Sequence, residues 1–182
     1  MKWFQPALLS CLLVIPAIAQ DAKTNAVPES KSGTNQVAAP VLTLPASAAT
    51  ITAPLELKNG CLSQPDTTDA SGGGKAIFNF VITNAGTYVI RGIVNAPAED
   101  ANSFYVQVDT PPADPDTMIW DIEVTDGFVE RTVNWRGNGS SGSDEFDPKR
   151  FQLSAGPHKL CITGREGGAE LKSISLCVIP DH

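Results

Sequence analysis

Apolar and polar side chains alternate with a period near two along most of the chain beyond residue 50. In "TYVIRGIVNAP", Tyr88, Ile90 and Val94 share one face, while Val89, Arg91 and Ile93 share the other. In "SFYVQVD", Phe104, Val106 and Val108 oppose Ser103, Tyr105, Gln107 and Asp109. "MIWDIEV", "ERTVNW", "RFQLSAG" and "KLCITG" continue the same pattern in shorter runs. Such alternation places successive side chains on opposite faces of a strand. Turn-forming clusters separate the runs: "TNAG", "APAEDAN", "DTPPADPD" and "GNGSSGSDEFDP". No window carries the 3.6-residue period of a useful amphipathic helix. Many short strands punctuated by Gly and Pro predict an all-β fold, an antiparallel β-sandwich or barrel.

The pattern is different upstream. Lys2 supplies a positive n-region, an apolar run extends from Ala7 to Ile18, and Ala17-Ile18-Ala19 forms a small-residue cleavage site. Residues 1–19 therefore read as a signal peptide, with Gln20 opening the mature chain. The run is shorter than the roughly 20 residues a membrane span requires. "LLSC" also resembles a lipoprotein signal acylated at Cys11, a weaker reading because the apolar run continues well past it. Residues 20–50, rich in Ala, Ser, Thr and Pro, show neither period and read as a flexible linker. Residues 51–182 are then one domain, secreted to an extracellular or periplasmic space.

Composition narrows the chemistry. The formal net charge is -7. No basic stripe is visible, which excludes nucleic acid and disfavours polyanionic glycans, although Arg91, Arg131, Arg136 and Arg165 could gather locally. "GNGSSG" matches a dinucleotide-binding signature by letter, but Pro148 breaks the helix that such a loop must feed. Only His158 and His182 are present, and no serine occupies a nucleophile elbow, so a serine-hydrolase site lacks its parts. Asp144, Glu145 and Asp147 form a solvated acidic loop whose oxygens suit a weak calcium site. Cleavage removes Cys11 and leaves Cys61, Cys161 and Cys177. Export makes one disulfide plausible, and its pairing stays open. No C-x-x-C spacing favours zinc. Asn138 opens a glycosylation sequon, relevant in a eukaryotic host.

From Leu55 to Leu176 the chain resembles jelly-roll carbohydrate-binding modules of the family six and family thirty-five type. The resemblance rests on "ELKNGCLSQP", "ASGGGK", "AGTYVIRGIVNAP", "DANSFYVQVD", Trp120, Trp135, "FQLSAGPHKLCI" and "REGGAELKSISL", in that order. It implies a jelly-roll sandwich, a polysaccharide or glycan ligand, and a partner enzyme or surface protein. Three positions depart from the family pattern. Lys58 and Lys172 stand where carboxylates usually help hold a structural calcium, and Arg91 stands where relatives often carry Trp. An ammonium repels the cation, so the structural calcium is expected to be lost, with no other cofactor. Glu56 and Lys172 could then pair in its place.

Sugar rings stack their C–H faces on flat aromatic side chains while polar groups orient their hydroxyls. Trp135, with Arg136 and Asn138 beside it, suits that chemistry. Trp120 is a second candidate, although a tryptophan bridging the two sheets explains it better. Arg165 and Glu166, before the final strand, either reach a ligand cleft or pair with each other within their loop. Arg91 and Tyr105 complete the candidate ligand set. Phe78, Phe80, Phe104, Phe128 and Phe151 are expected in the core. The resulting expectation is a secreted, non-catalytic carbohydrate-binding module. An adhesive surface domain that binds protein is the alternative, and a small hydrolase or lyase using the acidic loop is the third reading.

Overall fold

The computed structural model describes residues 39–134 and 148–179. Its strands are β1 (Pro40–Pro45), β2 (Thr50–Thr52), β3 (Glu56–Lys58), β4 (Cys61–Ser63), β5 (Lys75–Ile82) and β6 (Gly86–Asn95). They continue with β7 (Ser103–Val108), β8 (Ile119–Asp121), β9 (Val129–Thr132), β10 (Arg150–Leu153), β11 (Gly156–Gly164) and β12 (Glu170–Val178). One sheet has seven strands, in the order β10-β6-β12-β4-β3, with β1 also on β12 and β9 also on β6. The other has five, in the order β2-β5-β11-β7-β8. Among the described residues all neighbouring strands pair antiparallel. Most long connections, from β4 to β5 through β6 to β7 and from β10 to β11 to β12, carry the chain from one sheet to the other. This is an antiparallel β-sandwich, one of the two architectures that the alternation predicts, in the jelly-roll form that the resemblance implies.

The inward faces follow the sequence period. Tyr88, Ile90 and Val94 of β6, Ile174 and Leu176 of β12, Phe78, Phe80 and Ile82 of β5, and Leu160 and Ile162 of β11 build one core. Phe104 and Val106 join it from β7. Phe128 does not: it is 42% exposed, and Lys172 Nζ sits 5.8 Å from its ring centroid. The short "DGF" turn before β9 leaves that ring outside the sandwich, where the cation covers its face.

The chain enters the fold earlier than its composition predicts. β1 pairs with β12 from Leu42↔Leu176 to Pro45↔Ser173, and Leu42, Leu44 and fully buried Ala46 pack against the core. Residues 40–50 of the segment read as a linker thus belong to the sandwich. Leu42 and Leu44 alternate with Val41 and Thr43, but the flanking Pro and Ala residues mask so short a strand.

The cysteines are corrected too. Cys61, Cys161 and Cys177 are buried free thiols. β11 and β12 do not form a hairpin, because they lie in different sheets. Leu160 and Ile162 face the core, which turns Cys161 to the outer side of the five-stranded sheet. Ile174 and Leu176 turn Cys177 to the outer side of the seven-stranded sheet. The sheets alone are about 10 Å apart, whereas a disulfide needs its Cα atoms within about 7 Å. Cys61 adjoins Leu62, which pairs with Leu171. From there Cys177 is about 20 Å along β12, at roughly 3.3 Å per residue. Burial pushes the Cys61 and Cys177 thiols above their ordinary pKa, which suppresses the reactive thiolate.

Candidate functional site

Loops gather at one end of the sandwich, and a buried amide organises them. Gln64, only 2% exposed, follows β4. Its Nε2 donates to the Asp66 carbonyl at 2.7 Å and to Thr68 Oγ1 at 3.0 Å. Its Oε1 accepts from Gly74 N–H at 3.4 Å. The "GGG" run explains itself here: a Cβ on Gly73 would strike the Gly164 carbonyl, and one on Gly74 would strike Leu55.

Arg165 and Glu166 belong to this scaffold. Arg165 Nη1 donates to Ser103 Oγ at 2.6 Å and also to the Glu166 carboxylate. Glu166 Oε2 accepts from Asn102 N–H at 2.9 Å. The pair thus ties the β11–β12 connection to the β6–β7 connection. Their partners match the loop-internal pairing weighed from sequence, rather than an open ligand cleft.

Three other candidates also take structural positions. Tyr105 is 6% exposed and sits between Thr163 of β11 and Ile119 of β8 in register. Arg91 forms an ion pair with Glu130 at 3.0 Å across β6 and β9. Trp120 is fully buried. From β8 its ring crosses to the seven-stranded sheet, where Gly92 leaves room for it. It is the sheet-bridging tryptophan, so its face is not offered for stacking. Trp135, Arg136 and Asn138 lie outside the described residues, as do Asp144, Glu145 and Asp147.

What the fold does assemble is a polar cleft between β8 and β9, where the edges of the two sheets face each other. Trp120, Asp121, Glu123, Arg131, Thr132 and Asn134 line a volume of about 260 Å³. Arg131 Nη2 meets Glu123 Oε2 at 3.4 Å, a loose contact on a partly exposed side chain. The indole Nε1 of Trp120 and the amide Oδ1 of Asn134 are buried, with no hydrogen-bond partner among the described residues. Each such group costs about 1–3 kcal/mol unless something bonds it. The cleft itself presents two carboxylates, a guanidinium and a hydroxyl, over a floor that holds these two buried groups.

Of the cleft residues, sequence reasoning reached Trp120 as a ligand contact and Arg131 only as one of several basic groups. It missed Asp121, Glu123, Thr132 and Asn134. The available signal was the polar half of "WDIE" and "RTVN", two alternating segments on either side of the "TDGF" turn.

Of the residues that the resemblance ties to a structural calcium, Lys172 is engaged with Phe128 rather than with Glu56, and Lys58 lies on the exposed strand β3. Glu170 Oε2 nearby in sequence accepts from Asn95 Nδ2 at 2.8 Å. An ammonium supplies no oxygen ligand to a hard cation.

No family model matches the chain, and no curated protein matches it. Solved structures do share its fold. A family 35 carbohydrate binding module from Clostridium thermocellum is similar at 15% identity and a TM-score of 0.54, over 76% of this chain and 98% of that one. A Podospora anserina GH26-CBM35 β-(1,4)-mannanase is similar at 15% identity and a TM-score of 0.53, over 78% of this chain and 28% of that one. A Phanerochaete chrysosporium exo-β-1,3-galactanase follows at 12% identity and 0.52, over 74% of this chain and 29% of that one. The chain thus spans less than a third of these two enzymes' length. At such identities the likeness establishes the fold, an antiparallel β-sandwich.

Proposed function

We propose that this sandwich is a secreted, non-catalytic glycan-binding module whose β8–β9 cleft holds a sugar unit of a neutral polysaccharide. The observation that carries the reading is the cleft itself. Its size suits one sugar ring, and Asp121, Glu123, Arg131 and Thr132 bring carboxylate, guanidinium and hydroxyl groups to its wall. Sugar hydroxyls both donate and accept, so one ring can bond a guanidinium, a hydroxyl and a carboxylate together. Asp121 and Glu123 outnumber Arg131, which together with the net charge of -7 disfavours uronates and sulfated glycans. The named neighbours support this reading: one is itself a carbohydrate-binding module, and two are glycan-degrading enzymes. A partner enzyme that the module delivers to its polymer fits the same pattern. Trp135, Arg136 and Asn138 follow Asn134 directly in the chain and stay its stacking and hydrogen-bonding candidates.

The test is retention of the full chain on a panel of insoluble neutral polysaccharides, followed by calorimetry on the one retained. Arg131→Ala should weaken binding about tenfold or more, equivalent to at least about 1.4 kcal/mol, without lowering the melting temperature. Retention on no glycan, with capture of a surface protein instead, would favour the adhesive reading. Full affinity in Arg131→Ala would move the site away from this cleft.

A further inference from the structure

A second cleft opens beside β7 and β10, on the same lateral edge of the sandwich. Its volume is about 480 Å³. Val106 and Val108 of β7, Phe151 of β10 and Met118, which ends the short turn Pro115–Met118, give it apolar walls. That volume falls within the range of small-molecule pockets, roughly 300–1,000 Å³. Among its lining residues Lys149 alone is charged.

Lys149 and Phe151 are two positions apart on an extended segment, so both point into the cleft. Lys149 Nζ lies 5.8 Å from the Phe151 centroid and donates to the Thr117 carbonyl at 2.7 Å. No carboxylate among the described residues forms an ion pair with it. Burial alone pushes its pKa below the ordinary lysine value. Among the described residues this half-buried ammonium has an apolar wall and a carbonyl beside it but no carboxylate, the setting in which an anionic head on an apolar body gains most.

We infer that this cleft is a second ligand site, separate from the β8–β9 cleft, and that it takes a small amphipathic anion: one carboxylate or sulfonate on an apolar body. The chemistry excludes the other classes. A neutral sugar would strand its hydroxyls against Val106, Val108 and Phe151. A polyanion would bring several charges to one cation. A purely apolar ligand would gain nothing from Lys149. Because the chain carries a net charge of -7, an anion binds only where a local cation compensates the overall repulsion. Lys149 is placed to do so.

The probe is 8-anilinonaphthalene-1-sulfonate, titrated by fluorescence into the folded full chain, then displaced by decanoate, 2-naphthoate or decan-1-ol. The expected result is one saturable site, displaced by a carboxylate and not by the alcohol. Displacement by decanoate alone would identify acyl ligands, and by naphthoate alone aromatic ones. Lys149→Gln should weaken the sulfonate at least tenfold, while Lys149→Arg restores it, which separates loss of charge from loss of the Thr117 bond. Affinity should fall as pH rises through the lowered lysine pKa, and glycan retention should be unchanged in both variants. Absence of a saturable site, undiminished binding in Lys149→Gln, or equal displacement by decan-1-ol would each overturn the assignment. So would failure of both carboxylates to displace the probe.

Discussion

Trp120 lies so close over Gly92 that a Cβ built on the glycine would stand 2.6 Å from Trp120 Cη2 and 2.9 Å from Leu171 Cδ1. The missing side chain is what lets an indole from the five-stranded sheet reach the seven-stranded one. Gly92→Ala should therefore destabilise the domain by about 1–3 kcal/mol through overpacking. Trp120→Ala should cost about 3–5 kcal/mol by opening a cavity. Trp120→Phe keeps most of the packing and should cost less stability than Trp120→Ala. Thermal melts check this. A Gly92→Ala protein that melts with the parent would show that the two residues are not in tight contact.

β1 is held by the ladder that runs from Leu42↔Leu176 to Pro45↔Ser173. Truncation of the chain before residue 39 should leave the melting temperature unchanged. Truncation through Pro45 removes the half-buried Leu42 and Leu44 and exposes an edge of β12. The expected loss is at least about 2 kcal/mol from apolar burial, or about 5–10 °C in Tm for a domain of this size. Identical melting of the two truncations would place the true boundary at the composition break near residue 50.

His158 supplies the pH dependence. Its Nδ1 donates to Asp109 Oδ2 at 2.8 Å and its Nε2 to the Ser154 carbonyl at 2.8 Å. Two acceptors require two N–H groups, so the bound ring is the imidazolium. The side chain is 7% exposed and stacks on Phe80. The Asp109 and Ser154 hydrogen bonds raise its pKa above the ordinary value of 6.5, against burial, and the Asp109 charge adds to them. Burial raises the Asp109 pKa, but hydrogen bonds from His158 and the Lys159 N–H, with their charges, more than offset it and leave it lowered. The histidine contribution is thus complete below about pH 6.5 and lost as pH rises through the raised folded pKa. The aspartate contribution is present above about pH 4 and lost as pH falls through the depressed one. Stability should peak between these limits and decline on the alkaline side. Melting curves of His158→Gln should show a flatter alkaline limb, and an unchanged limb would remove His158 as its cause.

Metal should matter little. With Lys172 held over Phe128 and Lys58 on β3, chelation should move the melting temperature by no more than about a degree. A calcium-dependent rise of several degrees, detected by scanning calorimetry, would instead implicate Asp144, Glu145 and Asp147.

The alternation of Tyr88, Ile90 and Val94 against Val89, Arg91 and Ile93 settled by itself that the chain is all-β, because a period of two puts successive side chains on opposite faces of a strand; it left sandwich and barrel open. The same logic placed Phe78, Phe80 and Phe104 in the core, and kept Cys161 and Cys177 off it. Local pattern could not say which strands share a sheet. β11 and β12 look like a hairpin in sequence, yet they part to opposite sheets, and only that separation leaves the cysteines as free thiols. Nor could it find the partners of Arg165 and Glu166, since Asn102 and Ser103 lie far away in sequence and meet them through loop packing. The bridging role of Trp120 was the better reading from sequence, but that Gly92 on another strand makes room for its ring was not legible there. Asp121, Glu123, Arg131 and Asn134 read as ordinary outward polar residues until two strand edges from different sheets bring them to one cleft. Periodicity is a property of neighbours along the chain. A site is a property of neighbours in space, and only the crossing connections of the sandwich create those.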